Sequence, residues 1–367
     1  MTMLDLDELL RYTVEHAGSD LHVKVGTPPH VRIDGQLLVA PFDAVTPADA
    51  ERMAFAVLPT DRADEFVASS EADFALSVPG LGRFRVNVFR QRGSVGLVFR
   101  RVLPGIPSFE ALGLPPVTRK LAEEQRGMIL VTGPTGSGKT TTISAIIDHI
   151  NESRACNVVT VEDPIEVLHT DKRALVNQRE IGTDTRDYAT AMRRVLRQDP
   201  DVIFIGEMRD PETVWAALAA AETGHLVLST LHTTNAVETV NRIVDFFPPF
   251  QQKQVRLSLA SSLKGVLSQR LLERADGQGR VPSVEVLVMN GRIFDRIVDP
   301  ESGGNDSIEE IIADGEFYGM QTFDQSLFHL FKAGLVDLRS AMASASNPHD
   351  LRIALQQAGL LPSQLSA

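Results

Sequence analysis

An octapeptide rich in glycine, Gly133 to Thr140, sets the strongest limit on how this chain folds. It reads GPTGSGKT and fits the pattern G-x-x-x-x-G-K-[ST]. Residues 127–132 before it form an unbroken apolar run, which is typical of a strand buried on both faces, and a helical pattern follows it. A strand, a glycine-rich turn and a helix in this order predict a loop whose backbone N–H groups converge on phosphate.

Each residue type in the octapeptide has a physical reason. The glycines let the backbone fold around an anion, and the helix that follows turns its positive dipole end toward the same anion. Lys139 is expected to reach the β- and γ-phosphates, and the Thr140 hydroxyl is expected to bind Mg²⁺. The sequence therefore predicts a site for ATP and Mg²⁺. Its nucleotide-binding residues are Gly133, Pro134, Thr135, Gly136, Ser137, Gly138, Lys139, Thr140 and Thr141.

Two carboxylates follow the next predicted core strand, residues 157–161. Ligands bind at the carboxyl ends of the strands in a parallel sheet. Glu162 is therefore the candidate general base, or the group that positions the attacking water. Asp163 precedes Pro164 and has two interpretations, catalysis or capping of the turn that follows.

A third carboxylate, Glu207, follows the predicted strand over residues 201–205. The segment matches a Walker B strand, which predicts that Glu207 lies near Mg²⁺ through a water molecule. Gly206 stands just before this acid, and we expect it to allow a tight turn under the nucleotide.

Histidines bracket the predicted strand over residues 225–231. His232 follows the end that faces the nucleotide, so we predict that it contacts the γ-phosphate. A structural hydrogen-bonding role is the alternative for His232. For His225 the sequence favours neither the functional nor the structural interpretation.

Composition narrows the class of protein. A net charge of −12 without a block of Lys or Arg does not favour nucleic acid as a partner. No stretch approaches the roughly 20 apolar residues that span a bilayer, and Asp5, Asp7 and Glu8 stand where a secretory signal carries basic residues. The single Cys156 excludes an intrachain disulfide framework and a four-cysteine zinc site. We therefore expect a cytoplasmic protein without a transmembrane segment.

The pattern of apolar residues divides the chain into regions. We predict an N-terminal α/β domain over residues 1–102, a linker over 103–116, an ATPase domain over 117–290 and a helical region over 291–367. Strands alternate with helices in the ATPase domain, which predicts a mainly parallel sheet with helices on both sides. Besides the strands named above, the predicted elements are helices at 4–16, 46–57, 188–197 and 212–222 and strands at 21–25, 30–33, 82–90 and 94–101.

Several segments together resemble the PilT-type retraction ATPases of type IV pili, which belong to the secretion and pilus ATPases. The segments are LRQDPDVIFIGEMRD at 196–210, VEDPIE at 161–166, GHLVLSTLHTT at 224–234, GSDLHVKVGTPPHVRIDG at 18–35, GRFRVNVFRQRG at 82–93 and GMQTFDQSL at 319–327. The resemblance covers residues 15–339.

This resemblance implies a homo-hexameric ring that drives pilus retraction and twitching motility. The ring would act on an inner-membrane platform protein as a peripheral, cytoplasmic partner. Each subunit would join a PAS-like N-terminal α/β domain to a RecA-like ATPase domain, with ATP at their junction and a helical C-terminal region. The family implies the roles given above for Lys139, Thr140, Glu162, Glu207 and His232.

The resemblance also implies that arginines of the N-terminal domain reach the triphosphate. The matching positions are Arg85 and Arg100. Charge-assisted contacts of this kind suit a γ-phosphate whose negative charge is being redistributed. The alternative is that both arginines lie on a solvated face of the sheet.

Two departures from the family bear on function. Residues 292–299 keep only the two isoleucines of an AIRNLIRE-like segment, and a glycine-rich insertion follows. The tail over 340–367 extends past the resemblance. The alternatives to a retraction motor are an assembly or type II secretion ATPase, an accessory retraction paralogue, a RecA-like nucleic-acid motor and a nucleotide-binding subunit without hydrolysis. Assembly ATPases usually carry longer N-terminal regions and often a tetracysteine zinc module.

Overall fold

The computed structural model describes residues 4–33, 35–102, 105–301 and 306–362. Parts of four predictions lie outside these residues. They are the start of the N-terminal domain at 1–3, the linker at 103 and 104, the insertion at 302–305 and the end of the tail at 363–367.

The chain forms two compact units. Unit 1 consists of Met1–Gly105 together with Glu166–Leu168. Unit 2 consists of Ile106–Ile165 and His169–Ala367.

Unit 1 is a six-stranded antiparallel sheet with three helices. Its strands are β1 (Asp20–Lys24), β2 (His30–Ile33), β3 (Gln36–Val39), β4 (Glu71–Val78), β5 (Gly82–Gln91) and β6 (Ser94–Arg101). Its helices are α1 (Leu6–Glu15), α2 (Pro47–Val57) and α3 (Thr60–Ser69). The strand order is β3-β2-β1-β6-β5-β4, and apolar side chains of the three helices pack with the sheet in one core.

Local sequence accounts for the elements of unit 1 that we predicted. α1 begins after the N-cap Asp5 and buries Leu9 and Leu10. α2 begins with a capping box, in which Thr46 and Asp49 each bond the backbone N–H of the other. These two helices and β1, β2, β5 and β6 confirm the prediction.

Three elements of unit 1, β3, α3 and β4, are not predicted from the sequence. All four residues of β3 are exposed, so this strand carries no alternation of buried and exposed positions. α3 has the mainly polar sequence TDRADEFVAS, and β4 alternates poorly. These elements depend on their neighbours in the sheet more than on a pattern of their own.

Unit 2 contains a seven-stranded sheet in which the predicted core strands lie side by side. The strands are β7 (Gly127–Thr132), β8 (Asn157–Glu162), β9 (Leu175–Glu180), β10 (Val202–Ile205), β11 (Leu226–Leu231), β12 (Leu263–Glu273) and β13 (Arg280–Val288). Their order is β13-β12-β7-β11-β10-β8-β9. All neighbours are parallel except β12 and β13, which confirms the prediction of a mainly parallel sheet.

Helices cover both faces of this sheet, since two separate groups of helices pack their apolar residues against it. They are α4 (Phe109–Leu112), α5 (Val117–Ala122), α6 (Lys139–Ser153), α7 (Tyr188–Val195), α8 (Pro211–Glu222), α9 (Ala236–Asp245) and α10 (Pro249–Ser262). The helix α4 falls inside the stretch predicted as a linker. Its Phe109 is buried with Leu114 in the core of unit 2, so this stretch packs as part of the unit.

The C-terminal region is helical, as predicted. It contains α11 (Gly291–Val298), α12 (Ile308–Ala313), a 3₁₀ turn (Glu316–Tyr318), α13 (Phe323–Lys332), α14 (Leu338–Ser344) and α15 (Pro348–Gln357). The tail beyond residue 340 forms most of the last two helices, whose Ala341, Leu351 and Leu355 are buried in a small separate core. In the part of the chain that the structure describes, no helix is both long enough and apolar enough to span a membrane.

Candidate functional site

The candidate site lies at one edge of the sheet of unit 2. β7, β11, β10 and β8 are parallel neighbours, so their C-terminal ends meet at the same edge. The phosphate loop follows β7, Glu162 ends β8, Glu207 follows β10 and His232 follows β11. Folding therefore gathers segments that are up to about a hundred residues apart in sequence at the place where open parallel sheets bind ligands.

The phosphate loop is closely packed at its first residue. A Cβ atom added at Gly133 would lie 2.4 Å from the carbonyl oxygen of Gln269 and 2.6 Å from Ser137 Oγ. At its end, Gly138 has a φ of +90° and is the N-cap of α6. A glycine is thus required at the first position for space and at the other for backbone conformation.

The start of α6 is suited to an anion. The helix has 15 residues, and its N-cap glycine has no side chain that could bond the first N–H groups. The Ser137 hydroxyl beside it is buried and has no hydrogen-bond partner within the described residues. Unpaired N–H groups, the helix dipole and an unpartnered hydroxyl are together what a phosphate group would satisfy.

The Lys139 side chain folds back onto the start of the phosphate loop. It is only 9% exposed, and its Nζ donates hydrogen bonds to the carbonyl oxygens of Gly133 (2.8 Å) and Pro134 (3.1 Å). Carbonyl oxygens of the loop therefore hold the ammonium group against the loop. Thr140 follows it in the first turn of α6 and is half-buried.

Glu162 is a buried carboxylate with a fixed orientation. Its Oε1 accepts hydrogen bonds from Thr160 Oγ1 (2.6 Å) and Gln178 Nε2 (3.0 Å), and the residue is 7% exposed. Gln178 lies on β9, an edge strand that sequence analysis missed together with this contact. No local signal marks Gln178, because its role depends on the pairing of two strands.

Glu207 and His232 are brought together at the ends of β10 and β11. The His232 Nε2 atom lies 3.4 Å from Glu207 Oε1, and Arg209 Nη2 lies 2.7 Å from Glu207 Oε2. His232 is half-exposed, whereas the Glu207 side chain is mostly covered. Arg209 lies in the segment 196–210 that carries the family resemblance, and no local pattern in the sequence marks it as a site residue.

The chain bends at Gly206, and close packing gives a further reason for glycine at this position besides the tight turn that we expected. Its φ does not lie in the left-handed region, but an added Cβ would lie 2.8 Å from Tyr188 Oη and 3.2 Å from the carbonyl oxygen of Val161. Glycine is needed here for close packing between β10, β8 and the start of α7. This packing brings the backbones at Glu162 and Glu207 close to each other.

Tyr188 is a further residue of the site that sequence analysis missed. Burial raises the pKa of its phenol above the usual value, and the nearby carboxylates of Asp163, Glu207 and Glu162 raise it further. The phenol therefore stays neutral and offers a hydroxyl donor among three carboxylates. Asp163 itself is exposed.

His225 lies at the opposite end of β11 from His232. Its Nδ1 is 3.0 Å from the carbonyl oxygen of Ala220 and 3.3 Å from Thr223 Oγ1, at the C-terminal end of α8. These contacts are typical of a structural histidine at a helix end. The geometry favours the structural interpretation for His225.

Arg85 and Arg100 belong to unit 1, where they face each other across β5 and β6. Arg85 Nη1 lies 3.2 Å from Glu166 Oε1, and Arg100 Nε donates to Asp20 Oδ1 at 2.8 Å. The two arginines thus lie on the same face of the sheet, and each has a carboxylate partner. The remaining predicted site residues belong to unit 2.

Comparison with known proteins gives consistent matches. The family model described as type II/IV secretion system protein matches residues 97–311, which is more than half of the chain. The type IV pilus retraction ATPase PilT of Pseudomonas aeruginosa is 39% identical over 347 residues, covering 95% of this chain and 100% of that protein. The type IV pilus ATPase PilU of the same organism is 38% identical over 353 residues, covering 96% of this chain and 92% of that protein.

A solved structure agrees with these sequence matches. The crystal structure of the pilus retraction motor PilT with bound ADP superposes with a TM-score of 0.88 at 44% identity. The match covers 95% of this chain and 99% of that one. Both the resemblance and the fold class that the sequence predicted are therefore confirmed. The chain belongs to the type II/IV secretion system protein family and, within it, to the PilT-type ATPases.

Proposed function

We propose that this chain is an ATP-hydrolysing motor that drives the retraction of type IV pili. The observation that carries the proposal is the common sheet edge of unit 2, where a phosphate loop meets Glu162, Glu207 and His232. The similarity to PilT over nearly the whole of both chains supports retraction as the process that the motor drives.

Nucleotide binding rests on the loop and the start of α6. The phosphates would accept hydrogen bonds from the loop N–H groups and from the buried Ser137 hydroxyl, which has no partner within the described residues. The Lys139 ammonium would exchange the carbonyl oxygens of Gly133 and Pro134 for phosphate oxygens.

Glu162 is the proposed general base. Its hydrogen bonds from Thr160 and Gln178 orient the carboxylate, which would accept a proton from the attacking water. His232, held beside Glu207, is the proposed contact to the γ-phosphate. Charge that develops on the phosphate would thus meet groups whose positions are set before the reaction.

Thr140 and Glu207 are the residues that would hold Mg²⁺, Glu207 through a water molecule. A hydroxyl and a carboxylate are oxygen donors of the kind that this hard cation prefers, so the residues present fit it. When bound, Mg²⁺ neutralises charge on the β- and γ-phosphates.

Arg85 and Arg100 are proposed to add positive charge at the triphosphate. Each is now paired with a carboxylate, Glu166 or Asp20, so phosphate oxygens would compete with these partners. Bonds between guanidinium groups and phosphate are charge-assisted and stronger than neutral ones.

The working assembly that we propose is a homo-hexamer at the cytoplasmic face of the inner membrane. It would act on the pilus platform protein through a peripheral contact. The similarity to a pilus retraction motor supports this assignment, and the acidic chain offers no block of basic residues for nucleic acid.

Steady-state ATP hydrolysis tests the enzymatic part of the proposal. Lys139→Ala and Glu162→Gln are each expected to lower kcat at least about a hundredfold, because they remove phosphate contacts or the proton acceptor. Lys120→Ala, which changes an exposed lysine on α5, is the matched control and should keep wild-type activity. Turnover that survives both site substitutions would exclude this site as the source of hydrolysis.

Deletion of the gene tests the direction of movement. Excess pili that do not retract are the expected result, and the Glu162→Gln variant should fail to restore retraction. Cells without pili would contradict retraction and support an assembly ATPase.

The similarity to the type IV pilus ATPase PilU nearly equals that to the retraction ATPase PilT, so we keep a pilus ATPase that assists a principal retraction motor as a second candidate. Loss of retraction only when a second ATPase gene is weakened would favour this alternative.

A further inference from the structure

A row of buried polar side chains crosses the sheet just before the phosphate loop. Thr132 at the end of β7 pairs in register with Ser268 on β12, and Ser268 pairs with Glu285 on β13. Residues paired in register point to the same face of a sheet. The Thr132 hydroxyl bonds the Ser268 hydroxyl at 3.0 Å, and all three residues are buried.

The start of α9 lies on this row. The backbone N–H of Ala236, the first residue of α9, donates to Glu285 Oε1 at 2.7 Å. One turn later, Thr239 Oγ1 lies 2.7 Å from Thr233 Oγ1 and within 3.5 Å of Thr132 Oγ1. Polar groups of β7 and β13 thus hold the first turn of α9.

The segment held in this way includes the proposed γ-phosphate contact. His232 stands four residues before Ala236, and only Thr233, Thr234 and Asn235 connect the two. Thr233 is itself fixed through Thr239. The backbone at His232 is therefore anchored on one side by β11 and on the other by the start of α9.

We propose that Glu285 is a positioning residue for the reaction at this site: its buried carboxylate holds the first turn of α9 and thereby places His232 beside Glu207. This inference rests on the proposed function. A carboxylate is suited to the task because negative charge is favourable at a helix N-terminus and accepts a stronger bond from N–H than a neutral group does.

The groups around Glu285 make its charge sensitive to pH. Burial raises the pKa of Glu285 to about 7, against the lowering effects of the Ala236 N–H and of Arg270 on β12. Glu309 on α12 and Asp324 on α13 raise it further. The anchor is consequently charged above neutral pH and neutral below it.

The kinetic test compares Glu285→Gln with the wild-type chain between pH 5.5 and 8.5. Glutamine keeps the size and an acceptor oxygen but removes the charge. At pH 8 we expect kcat to fall about tenfold with KM unchanged within twofold, because placement of His232 affects the reaction more than nucleotide binding. In the wild-type chain kcat should fall as the pH drops through about 7, and this step should be missing in Glu285→Gln.

The matched control is Glu273→Gln, the same substitution at an exposed end of β12. It should leave both kcat and the pH profile unchanged. A Glu285→Gln variant with wild-type kcat and an unaltered pH step would overturn the inference.

Hydrogen exchange of the wild-type chain tests whether Glu285 holds α9, without a variant and without a measurement of ATP hydrolysis. After correction for intrinsic rates, the amides of residues 236–239 should exchange at least about threefold faster at pH 6 than at pH 8, because in a local opening that leaves Glu285 buried on β13 the protonated acid holds α9 more weakly. Equal protection at both pH values would overturn the inference. A wild-type chain that shows this change but hydrolyses no ATP would instead contradict the proposed function.

Discussion

Glu285 is a buried acid whose effect on the stability of the fold depends on pH. It is 7% exposed, and burial raises the pKa of its carboxyl group from an ordinary value of 4.5 to about 7. Because the pKa is higher in the folded state, its favourable contribution to stability is complete below about pH 4.5 and is lost as the pH rises through about 7. Above neutral pH the buried charge opposes folding.

Because folding raises the pKa of Glu285, removal of its charge should stabilise the protein at high pH. Glu285→Gln is neutral at every pH, so it should raise the free energy of unfolding at pH 8 by about 2 to 3 kcal/mol relative to the wild-type chain. At pH 5 the difference should be much smaller. Urea denaturation at the two pH values measures both. A variant that is less stable than the wild-type chain at pH 8 would contradict the assigned pKa.

At the scale of elements, the site depends on how closely β8, β10 and α7 approach each other. Gly206 is the contact point, since an added Cβ would lie 2.8 Å from Tyr188 Oη. The carbonyl oxygen of Val161 on β8 lies only slightly farther from that position, at 3.2 Å. The strands that carry Glu162 and Glu207 can thus approach this closely only because residue 206 has no side-chain methyl group.

A double substitution tests this packing. Gly206→Ala should lower the free energy of unfolding by about 1 to 3 kcal/mol and reduce kcat, because the new methyl group overpacks the strand ends. Tyr188→Phe removes the nearest atom, so the Gly206→Ala/Tyr188→Phe chain should regain part of this stability. Chemical denaturation of the two single variants and the double variant measures the coupling. Strictly additive effects would show that Tyr188 is not the obstacle.

At the scale of the whole molecule, the groups that we propose to contact the triphosphate are divided between the two units. Unit 2 carries the phosphate loop, while Arg85 and Arg100 lie side by side on neighbouring strands of unit 1. Arg85 and Glu166 form an exposed pair, which stabilises by about 1 kcal/mol or less, so removal of Arg85 should cost little stability. Arg100 is exposed but its partner Asp20 is buried, so removal of Arg100 should cost more, because it leaves a buried carboxylate without its main charged partner.

The arginine pair is tested by its effect on turnover. The Arg85→Ala/Arg100→Ala chain should lose at least about tenfold in kcat, because charge on the transferred phosphate is no longer neutralised. Thermal unfolding of the Arg85→Ala single variant and the oligomer mass of the double variant by light scattering should change little. Arg11→Ala, an exposed arginine of α1, is the matched control. Full ATPase activity in the double variant would exclude both arginines from the reaction.

The parts of this protein that could be predicted from its sequence have local signals. Buried parallel strands appear as unbroken apolar runs, so β7, β8, β10 and β11 were predicted close to their observed bounds. The phosphate loop was predicted because its glycines, lysine and threonine act at fixed spacing within eight residues. Acids and a histidine directly after core strands pointed to Glu162, Glu207 and His232 by the same rule.

The contacts that orient these residues were decided only by the tertiary structure. Gln178 reaches Glu162 across β8 and β9, Tyr188 packs against Gly206, and Glu285 holds a helix 49 positions away in sequence. The edge strands β3 and β9 were also not predicted. β3 is fully exposed and β9 is partly exposed, so neither has the continuous apolar run of a buried strand. Local patterns record which face of an element is buried, whereas partners distant in sequence are set by strand pairing and packing.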